Sequence, residues 1–598
     1  MKHYAFFFLL LSYALTLDAQ TPKTIVAASI AMHGTPAYHE GFTAFDYVNP
    51  RAPKRGSLVL PATGTYDSFH RYALRGYPCA GAEYFYDSLF KMSSDELSSY
   101  YPLIAEKIEY AEDYSFIIFY IDGRAKDHGG VPITAEDVAY SFNLFYTKGV
   151  PQFRSYYAGI AATVLDTARV RFDIPVPEGE EKGDKEKMLG LCSLTVFPKR
   201  FWEDGHDFSE PLMEPPLGTG PYRVKDYMMG QSITLERVKD YWAAELPVNK
   251  GQYNFDTMRY DYYRDLTVAF EAFKAGEYDF YEESSASNWA TQYTGKNFDS
   301  GRIKKEEVPH EIPQSMQGFV FNMQRPLFQD RRVRKALNYF LDFEWMNKNL
   351  FYKQYTRARS YFLNTEYAAH GLPSPKELAI LEPIRAMIPP EVFTEAYTPP
   401  VTDGTGSIRP QAREAVRLLN EAGWELKAGK LINKATGEPM SFELLIYDSA
   451  SERVAIPFQR NLAHYGITMR IRTVDTSQYI KRRNSYDFDM IVYGFPVVGY
   501  PSADLALLWH SAYIDSSWNR PGVSDPAVDY LIEEIIASQE DEQKLRYLGI
   551  ALDRVLTWNF YVIPQWYSSS FRLAYVDKFA KPALRPKYDI GLETWWIK

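Results

Sequence analysis

Short strand-like runs alternate along the chain with capped helical patterns. Apolar or alternating runs at 56–62, 117–121, 442–446 and 468–472 predict buried strands. A helical pattern that ends at His464 lies between the last two of these runs. This strand–helix–strand order predicts an α/β lobe.

One helix start is clear in residues 131–142. Thr134 is a good N-cap residue, and Asp137, three positions later, can reach back as in a capping box. Glu136 and Asp137 place negative charge in the first turn, where the helix dipole favours it. Taken alone, the segment predicts only a well-capped surface helix.

Other elements follow from local signals. Asp330 and Asp342 are predicted to cap two helices. A tight turn at 218–222, followed by two alternating runs, predicts a hairpin. Residues 363–410 are rich in Pro, Glu and Ala with weak periodicity, and we interpret them as an irregular insertion. The basic residues behind Asp330 are interpreted as a solvated helix face: Arg331, Arg332, Arg334 and Lys335.

Composition bounds the class of protein. A chain of 598 residues is too long for one core, so two or three domains are expected. Hydrophobic residues at 46% and charged residues at 24% describe a soluble globular protein. The net charge of -10 argues against nucleic acid or an anionic membrane surface as the partner. Aromatic residues at 16% suit wet binding surfaces, although core filling is the competing interpretation.

The N-terminus resembles a secretory signal peptide, predicted to cover residues 1–19 and to be cut near Ala19. Its apolar run, 4–17, is too short for the roughly 20 residues of a spanning helix. Neither Cys79 nor Cys192 follows this leader, so we expect no lipid anchor. The mature protein is expected to be soluble in an exported compartment. A Cys79–Cys192 bridge and two buried free thiols both stay open.

The sequence shows no catalytic or metal-binding motif. It has no Gly-x-Ser-x-Gly elbow, no Walker A loop and no His-Glu-x-x-His pair. Its ten histidines and two cysteines show no metal-ligand spacing, so we expect no metal and no cofactor. Glu282 and Glu283 are adjacent, which is a poor arrangement for flanking one scissile bond. We therefore predict that the protein is not an enzyme.

Three segments carry a family resemblance. Residues 131–142, 218–222 and 319–337, in that order, resemble the markers of the family 5 extracellular solute-binding proteins, the oligopeptide and dipeptide receptors of bacterial ABC importers. The resemblance is narrowed to the Yej-type subfamily, which serves an importer of peptides and of the peptide–nucleotide antibiotic microcin C. Four segments resemble this subfamily in particular: 33–36, 45–50, 355–362 and 591–596.

This resemblance implies an α/β, two-lobed periplasmic-binding-protein fold of the cluster C type, with a hinge and an extra domain. It also implies a monomer that captures oligopeptides, or antibiotics of the microcin C kind, and delivers them to the permease and ATPase subunits of an ABC importer. The implied segments are 22–63, 214–310 and 565–598 for lobe one, 64–213 for the extra domain, and 311–564 for lobe two.

Twelve residues are candidates for contact with the ligand. Tyr66, Phe69 and His70 lie in a loop after an early strand, where this architecture presents groups to a cleft. For the aromatic candidates, core packing is the competing interpretation. The other candidates lie in segments that resemble cleft-facing family elements or carry adjacent carboxylates: Tyr84, Glu282, Glu283, Trp289, Asn322, Arg357, Tyr493, Phe495 and Trp509.

The chain departs from the family pattern at one point. Oligopeptide and dipeptide members typically place an aspartate just after a cleft aromatic, where it pairs with the ligand's α-ammonium. The corresponding stretch here, 493–502, contains no acidic residue, and the next is Asp504. We therefore predict that the receptor tolerates a blocked amino terminus, unless Glu282 or Glu283 supplies the missing charge.

Two alternatives stay open. An exported hydrolase or glycan-binding protein could use the aromatic surface to stack sugars, but a hydrolase would need paired carboxylates or a nucleophile that cannot be placed in this sequence. A family 5 receptor for nickel, haem or a sugar is the other alternative. The small number of histidines argues against a metal ligand.

Overall fold

The computed structural model describes residues 22–177, 179–516 and 518–598. The predicted signal peptide lies outside these residues. Within the described ranges, no helix combines the length and the apolar character needed to cross a membrane.

Strands and helices alternate along the described chain. The strands β1 to β26 are Thr24–Ala27, Ile30–Ala31, Ser57–Thr63, Phe90–Met92, Ser99–Pro102, Ala105–Ala111, Phe116–Ile121, Ala161–Asp166, Arg169–Asp173, Tyr222–Met228, Ser232–Arg237, Thr257–Tyr263, Phe280–Glu282, Ile303–Pro309, Gln317–Phe321, Thr356–Arg357, Trp424–Lys427, Lys430–Asn433, Ser441–Ile446, Thr468–Thr473, Met490–Gly494, Val562–Pro564, Trp566–Tyr567, Ser570–Val576, Phe579–Ala580 and Trp596–Ile597.

The α-helices α1 to α18 are Ala135–Lys148, Pro151–Tyr156, Lys185–Gly190, Lys199–Trp202, Leu266–Ala275, Ala286–Thr291, Lys296–Asp299, Pro326–Gln329, Arg331–Asn338, Phe343–Asn349, Pro375–Leu381, Glu391–Thr394, Arg409–Glu421, Ser449–His464, Thr476–Asn484, Leu505–Trp509, Pro526–Ala537 and Glu542–Trp558. Short 3-10 helices lie at Ala82–Tyr84, Leu191–Ser193, Glu382–Met387, Ser511–Tyr513 and Leu592–Thr594.

The chain divides into two compact units, each assembled from separate segments. The first unit contains the segment that ends at Asp46, together with Thr65–Ser93 and Ser98–Tyr260. The second unit contains Tyr47–Gly64, Ser94–Leu97 and Asp261–Lys598. The finer assignment of segments to two lobes and an extra domain stays a prediction.

Antiparallel strands organise the first unit. Its five-stranded sheet has the order β1-β6-β7-β9-β8, and α1 packs against β8 and β9. The predicted start of α1 is confirmed, because the Asp137 carboxylate accepts hydrogen bonds of 2.8 Å from both the backbone N–H and the hydroxyl of Thr134. The predicted hairpin is confirmed as β10 paired with β11.

Both cysteines lie in the first unit as free, buried thiols. Burial raises the pKa of the Cys79 thiol to about 12, because a thiolate there would lose its hydration. The structure therefore favours two buried free thiols over a bridge.

A mixed sheet forms the centre of the second unit. Its order is β20-β19-β21-β15-β22. Strand β19 runs parallel to β20 and β21, whereas β15 is antiparallel to β21 and β22. The helix α14 connects β19 to β20, which confirms the predicted strand–helix–strand unit.

Successive residues of this sheet face two different hydrophobic cores. In β15, Val320 belongs to one core, while Phe319 and Phe321 belong to the other. In β19, Leu445 belongs to the same core as Val320, while its neighbours Leu444 and Ile446 belong to the core of Phe319 and Phe321. Residues of α17 and α18 complete the first core, and residues of α9, α13 and α14 complete the second. The sheet is thus covered by helices on both faces, as is typical of α/β folds.

The interpretation of the basic run behind Asp330 as a solvated face is wrong for Arg334. This side chain is only 3% exposed. Its guanidinium donates to the carbonyl oxygens of Phe328 at 2.7 Å, Gln329 at 3.0 Å and Asn559 at 2.7 Å. Helix α9 packs against other elements on more than one side. The buried Arg334 guanidinium is stabilised there because its N–H groups donate to three backbone carbonyls.

The interpretation of residues 363–410 as irregular is also wrong in part. Helix α11 begins at a capping box in which Glu377 accepts from the Ser374 backbone at 2.8 Å and donates its own N–H to the Ser374 hydroxyl. The segment also contains α12. The Ser374-Pro-x-Glu377 pattern is a helix-start signal that weak periodicity concealed.

Candidate ligand-binding site

The carboxyl ends of β19, β20 and β21 meet at one edge of the central sheet, because these three strands run in the same direction. In open α/β sheets this edge is where ligands bind, since the backbone leaves the sheet there and loops are free to vary. Tyr447 follows β19 directly, and Phe495 follows β21. We refer to this region of the second unit as the carboxyl edge.

Three of the sequence candidates come together at the carboxyl edge. The rings of Phe495 and Trp509 stack with centroids 4.8 Å apart, and Tyr493 meets Phe495 edge-on at 5.2 Å. Tyr361 packs edge-on against Trp509 at 5.0 Å. We call these four residues the aromatic cluster. Phe495 and Trp509 are buried, whereas Tyr493 is partly exposed and so presents the cluster toward solvent.

Sequence reasoning missed two tyrosines beside this cluster. Tyr447 is 49% exposed, and its ring lies 4.7 Å from that of Tyr479. The Tyr479 hydroxyl donates to the carbonyl oxygen of Val492 in β21 at 3.1 Å, which fixes the pair beside the strand that carries Tyr493. Tyr447 is the first residue after a predicted strand, so the rule that selected the loop at Tyr66 would also have found it.

Three other candidates of the second unit direct their polar atoms into the protein. Glu283 accepts from the Ser285 backbone at 2.6 Å and from the Tyr293 hydroxyl at 3.0 Å. The Trp289 indole donates to Glu307 at 2.5 Å. The Asn322 amide donates to backbone oxygens in the turn that precedes β21, at 3.0 and 2.8 Å. The neighbouring Glu282 is exposed at the end of β13.

Arg357 differs from these residues because its guanidinium nitrogens are buried and make no hydrogen bond within the described residues. The side chain extends from β16, with the guanidinium carbon 5.3 Å from the centre of the Phe343 ring. Burial lowers the pKa of Arg357 to about 10, against the opposing influence of Asp342 and Glu344. A buried cation without a partner is costly, which makes Arg357 a candidate for contact with a polar ligand group.

The four candidates of the first unit are held in aromatic surroundings. The Tyr66 hydroxyl donates to the Ser232 carbonyl at 2.8 Å, and Phe69 meets Tyr227 edge-on at 4.9 Å. His70 is 3% exposed and donates from Nε2 to a backbone carbonyl at 2.9 Å. Burial lowers the His70 pKa to about 4, so the imidazole is neutral near pH 7. Tyr84 packs between two other tyrosine rings of this unit.

No group of three or more metal-ligating side chains is found among residues 22–177, 179–516 and 518–598. The carboxyl edge offers a ligand ring surface and tyrosine hydroxyls, and Arg357 adds one guanidinium group beside the end of β22, because β16 pairs with β23. Residues 99–515 match the family model for bacterial extracellular solute-binding proteins, family 5 Middle. This chain belongs to the family 5 extracellular solute-binding proteins.

Relatives of this family 5 protein match it over nearly its whole length. It is 51% identical to the protein YejA of Escherichia coli, with 98% of this chain and 96% of that protein covered. It is 39% identical to the "Probable peptide-binding protein YejA" of Agrobacterium fabrum over 95% of this chain and 93% of the relative. It is 35% identical to the "Peptidoglycan-binding protein YepA" of the same organism over 97% and 96%.

Solved structures confirm the two-lobed α/β fold of this family. The oligopeptide-binding protein AppA from Bacillus subtilis, in complex with a nonapeptide, superposes with a TM-score of 0.60 at 20% identity, covering 92% of this chain and 100% of AppA. The murein tripeptide binding protein MppA gives 0.64 at 18% identity over 92% and 98%. NikA from Brucella suis, in complex with Fe(III)-EDTA, gives 0.65 at 19% identity over 91% and 100%.

The unpartnered guanidinium of Arg357 generates a stability prediction. The substitution Arg357→Met removes a buried charge that gains no hydrogen bond, so we expect the free energy of unfolding of the ligand-free protein to rise by about 1–3 kcal/mol. Urea denaturation at neutral pH measures this change.

Arg334→Met is the matched control, because that guanidinium saturates backbone carbonyls in the same unit. We expect this control to lose about 3 kcal/mol or more, since the acceptors stay buried without donors. If the two variants were equally destabilised, Arg357 would have partners in the ligand-free protein and the prediction would be wrong.

Proposed function

We propose that this protein is a periplasmic receptor that captures oligopeptides and delivers them to the permease of an ABC importer, without catalysing a reaction. The observation that carries the proposal is the full-length similarity to relatives of the solute-binding family, one of them named for peptide binding. The fold it shares with AppA, which was solved with a nonapeptide, supports the same function.

The carboxyl edge suits a ligand of varied sequence. Ring surfaces at Tyr493 and Tyr447 offer apolar contact, and their hydroxyls can turn to donate or accept a hydrogen bond. Rings contribute area with few rotatable bonds, so little conformational entropy is lost on binding. A transport receptor for many peptides needs this combination of affinity and tolerance.

The proposal includes export and a membrane partner. Residues 1–19 would act as a signal peptide, and the receptor would meet its permease as a monomer. In two-lobed receptors, ligand binding favours the closed arrangement, which a permease can then recognise. The energy source for transport would lie in a separate ATPase subunit, since this chain has no Walker A loop.

A second candidate ligand is a fragment of the cell wall, in which a short peptide is attached to amino sugars. The observation that favours it is the 35% identity with a relative named as a peptidoglycan-binding protein. Aromatic rings stack on sugars as well as on peptide groups, so the aromatic cluster is compatible with both ligands.

Peptide binding can be tested by thermal unfolding with peptide pools. A ligand that binds only the folded protein adds RT ln(1 + [L]/Kd), about 2.7 kcal/mol at a hundredfold excess over Kd. We therefore expect the melting temperature to rise and the peptides to be recovered unchanged by mass spectrometry. We also expect Tyr493→Ala to weaken affinity roughly five- to tenfold, the effect of truncating a contact residue.

Tyr547→Ala is the matched control, since this partly buried tyrosine lies on α18 beside Lys376 and outside the aromatic cluster. Its affinity for peptide should equal that of the wild type. Cleaved peptides would support a hydrolase instead, and stabilisation by muropeptides but not by peptides would support the second candidate.

The missing aspartate in 493–502 generates a prediction about the ligand's amino terminus. Glu283 already binds two groups of the second unit, so its carboxylate is not available to an ammonium group without breaking those bonds. We expect N-acetylation of a peptide to cost less than about 1 kcal/mol of binding free energy. Isothermal titration calorimetry with free and acetylated forms of one peptide measures the difference.

A penalty of about 2–5 kcal/mol, as for truncating one partner of a buried charge pair, would contradict this prediction. Glu282→Gln is the informative variant in that case, because Glu282 is the exposed carboxylate at the end of β13. If the penalty disappeared in Glu282→Gln, that residue would be the ammonium anchor.

A further inference from the structure

The first unit contains a cavity of about 220 Å³ that is separate from the candidate peptide site. Its lining comes from residues 28–29, 38–42, 101–106, 122–124 and 246–248. All of these segments belong to the first unit, whereas the carboxyl edge belongs to the second. None of the twelve candidate contact residues lines this cavity. We call it the first-unit cavity.

Three of the rings that line the first-unit cavity pack against one another. The centroid of the Tyr38 ring lies 5.4 Å from that of Phe42 and 5.7 Å from that of Tyr101, and the last two are 5.5 Å apart. Tyr101 is buried, whereas Tyr38 and Phe42 are partly exposed. The faces of such rings attract cations, because the π electrons place negative charge there.

The loop that carries two of these rings is held in place by hydrogen bonds. The Tyr101 hydroxyl accepts from the backbone N–H of Tyr38 at 3.1 Å, and the Tyr38 hydroxyl accepts from the backbone N–H of Asp46 at 3.2 Å. The N–H of Phe42 donates to the carbonyl oxygen of His39 at 3.1 Å, which closes a turn between the two rings. A site that is formed in advance loses little conformational entropy when a ligand binds.

The charged residues of the cavity leave an excess of negative charge. Arg124 is bound to Asp122, because its Nε donates to Oδ1 at 2.9 Å, so this pair adds no net charge. Glu40 and Glu106 also line the cavity, and both are exposed. In the described part of the chain, the side chain of neither glutamate forms an ion pair or a hydrogen bond. His39 adds a positive charge only when it is protonated.

The remaining lining excludes a metal ion as the partner of these carboxylates. It is mainly apolar and includes Pro102, Leu103, Leu246, Pro247 and Val248. Hard metal ions need several oxygen ligands or retained water, which an apolar wall does not supply. The cavity also contributes no group of three metal-ligating side chains within the described residues. Rings, apolar walls and unpaired carboxylates together suit an organic cation.

We propose that the first-unit cavity binds a small organic cation, an ammonium group that carries apolar substituents. The substituents contact the rings and the apolar wall, and Glu40 and Glu106 balance the charge. The ligand is small, because the cavity lies below the roughly 300–1,000 Å³ of sites for drug-sized compounds. This site goes beyond the proposed function, and either can fail without the other because they share no residue.

Isothermal titration calorimetry of the mature protein with choline tests the site. The control ligand is 3,3-dimethylbutan-1-ol, which has the shape of choline but a neutral carbon in place of the charged nitrogen. We expect choline to bind roughly tenfold more tightly than this alcohol or better, since only the cation gains from ring faces and carboxylates. A saturating peptide from the pools used in the melting experiments should leave the affinity for choline unchanged.

Glu106→Gln and Phe42→Leu should each weaken choline binding about fivefold, because the first removes a charge and the second removes a ring but keeps an apolar side chain. Glu210→Gln is the matched control, since Glu210 is an exposed carboxylate of the same unit outside the cavity. Its affinity for choline should equal that of the wild type, and thermal melts confirm that each variant is folded.

Three results would overturn the cation site and leave peptide binding intact. The first is a wild type that does not bind choline or binds the alcohol equally well. The second is a loss of affinity in Glu210→Gln as large as that in Glu106→Gln, which would indicate attraction to the acidic protein as a whole. The third is displacement of choline by peptide, which would place choline in the peptide site.

Discussion

Each strand in the centre of the second unit sends successive side chains into two separate hydrophobic cores. Val320 and Leu445 face one core, and their immediate neighbours in β15 and β19 face the other. A shift of one residue in either strand would exchange the two sets, so the register is fixed by burial on both faces. Helices must then cover both faces, and the ligand can approach this sheet only at the ends of its strands.

This constraint explains where the functional groups lie. The carboxyl ends of the parallel strands are followed by Tyr447 and Phe495, and the loop beyond Phe495 brings Trp509 to the same edge. The rigid sheet holds the aromatic cluster in place, and the loops supply the polar groups. The candidate site therefore combines apolar ring surface with unpaired positive charge, in a protein whose net charge is -10.

Secondary-structure elements that depend on residues close together in sequence were predicted correctly. The capping box at Thr134, the hairpin of β10 and β11, and the strand–helix–strand unit of β19, α14 and β20 were all readable from short segments. Long-range packing was not readable in the same way. Arg334 looked solvated because its carbonyl partner at Asn559 is distant in sequence. Tyr493, Phe495 and Trp509 were predicted through a family resemblance, not through spacing.

The most direct test of peptide binding at the carboxyl edge is hydrogen–deuterium exchange measured by mass spectrometry, with and without a saturating peptide. The account predicts slower amide exchange at 447–449 and 493–509, because ligand binding orders the loops that follow β19 and β21. Exchange in the edge strand β20 should stay unchanged. Protection confined to β20, or no change in the two loop segments, would contradict the placement of the ligand at this edge.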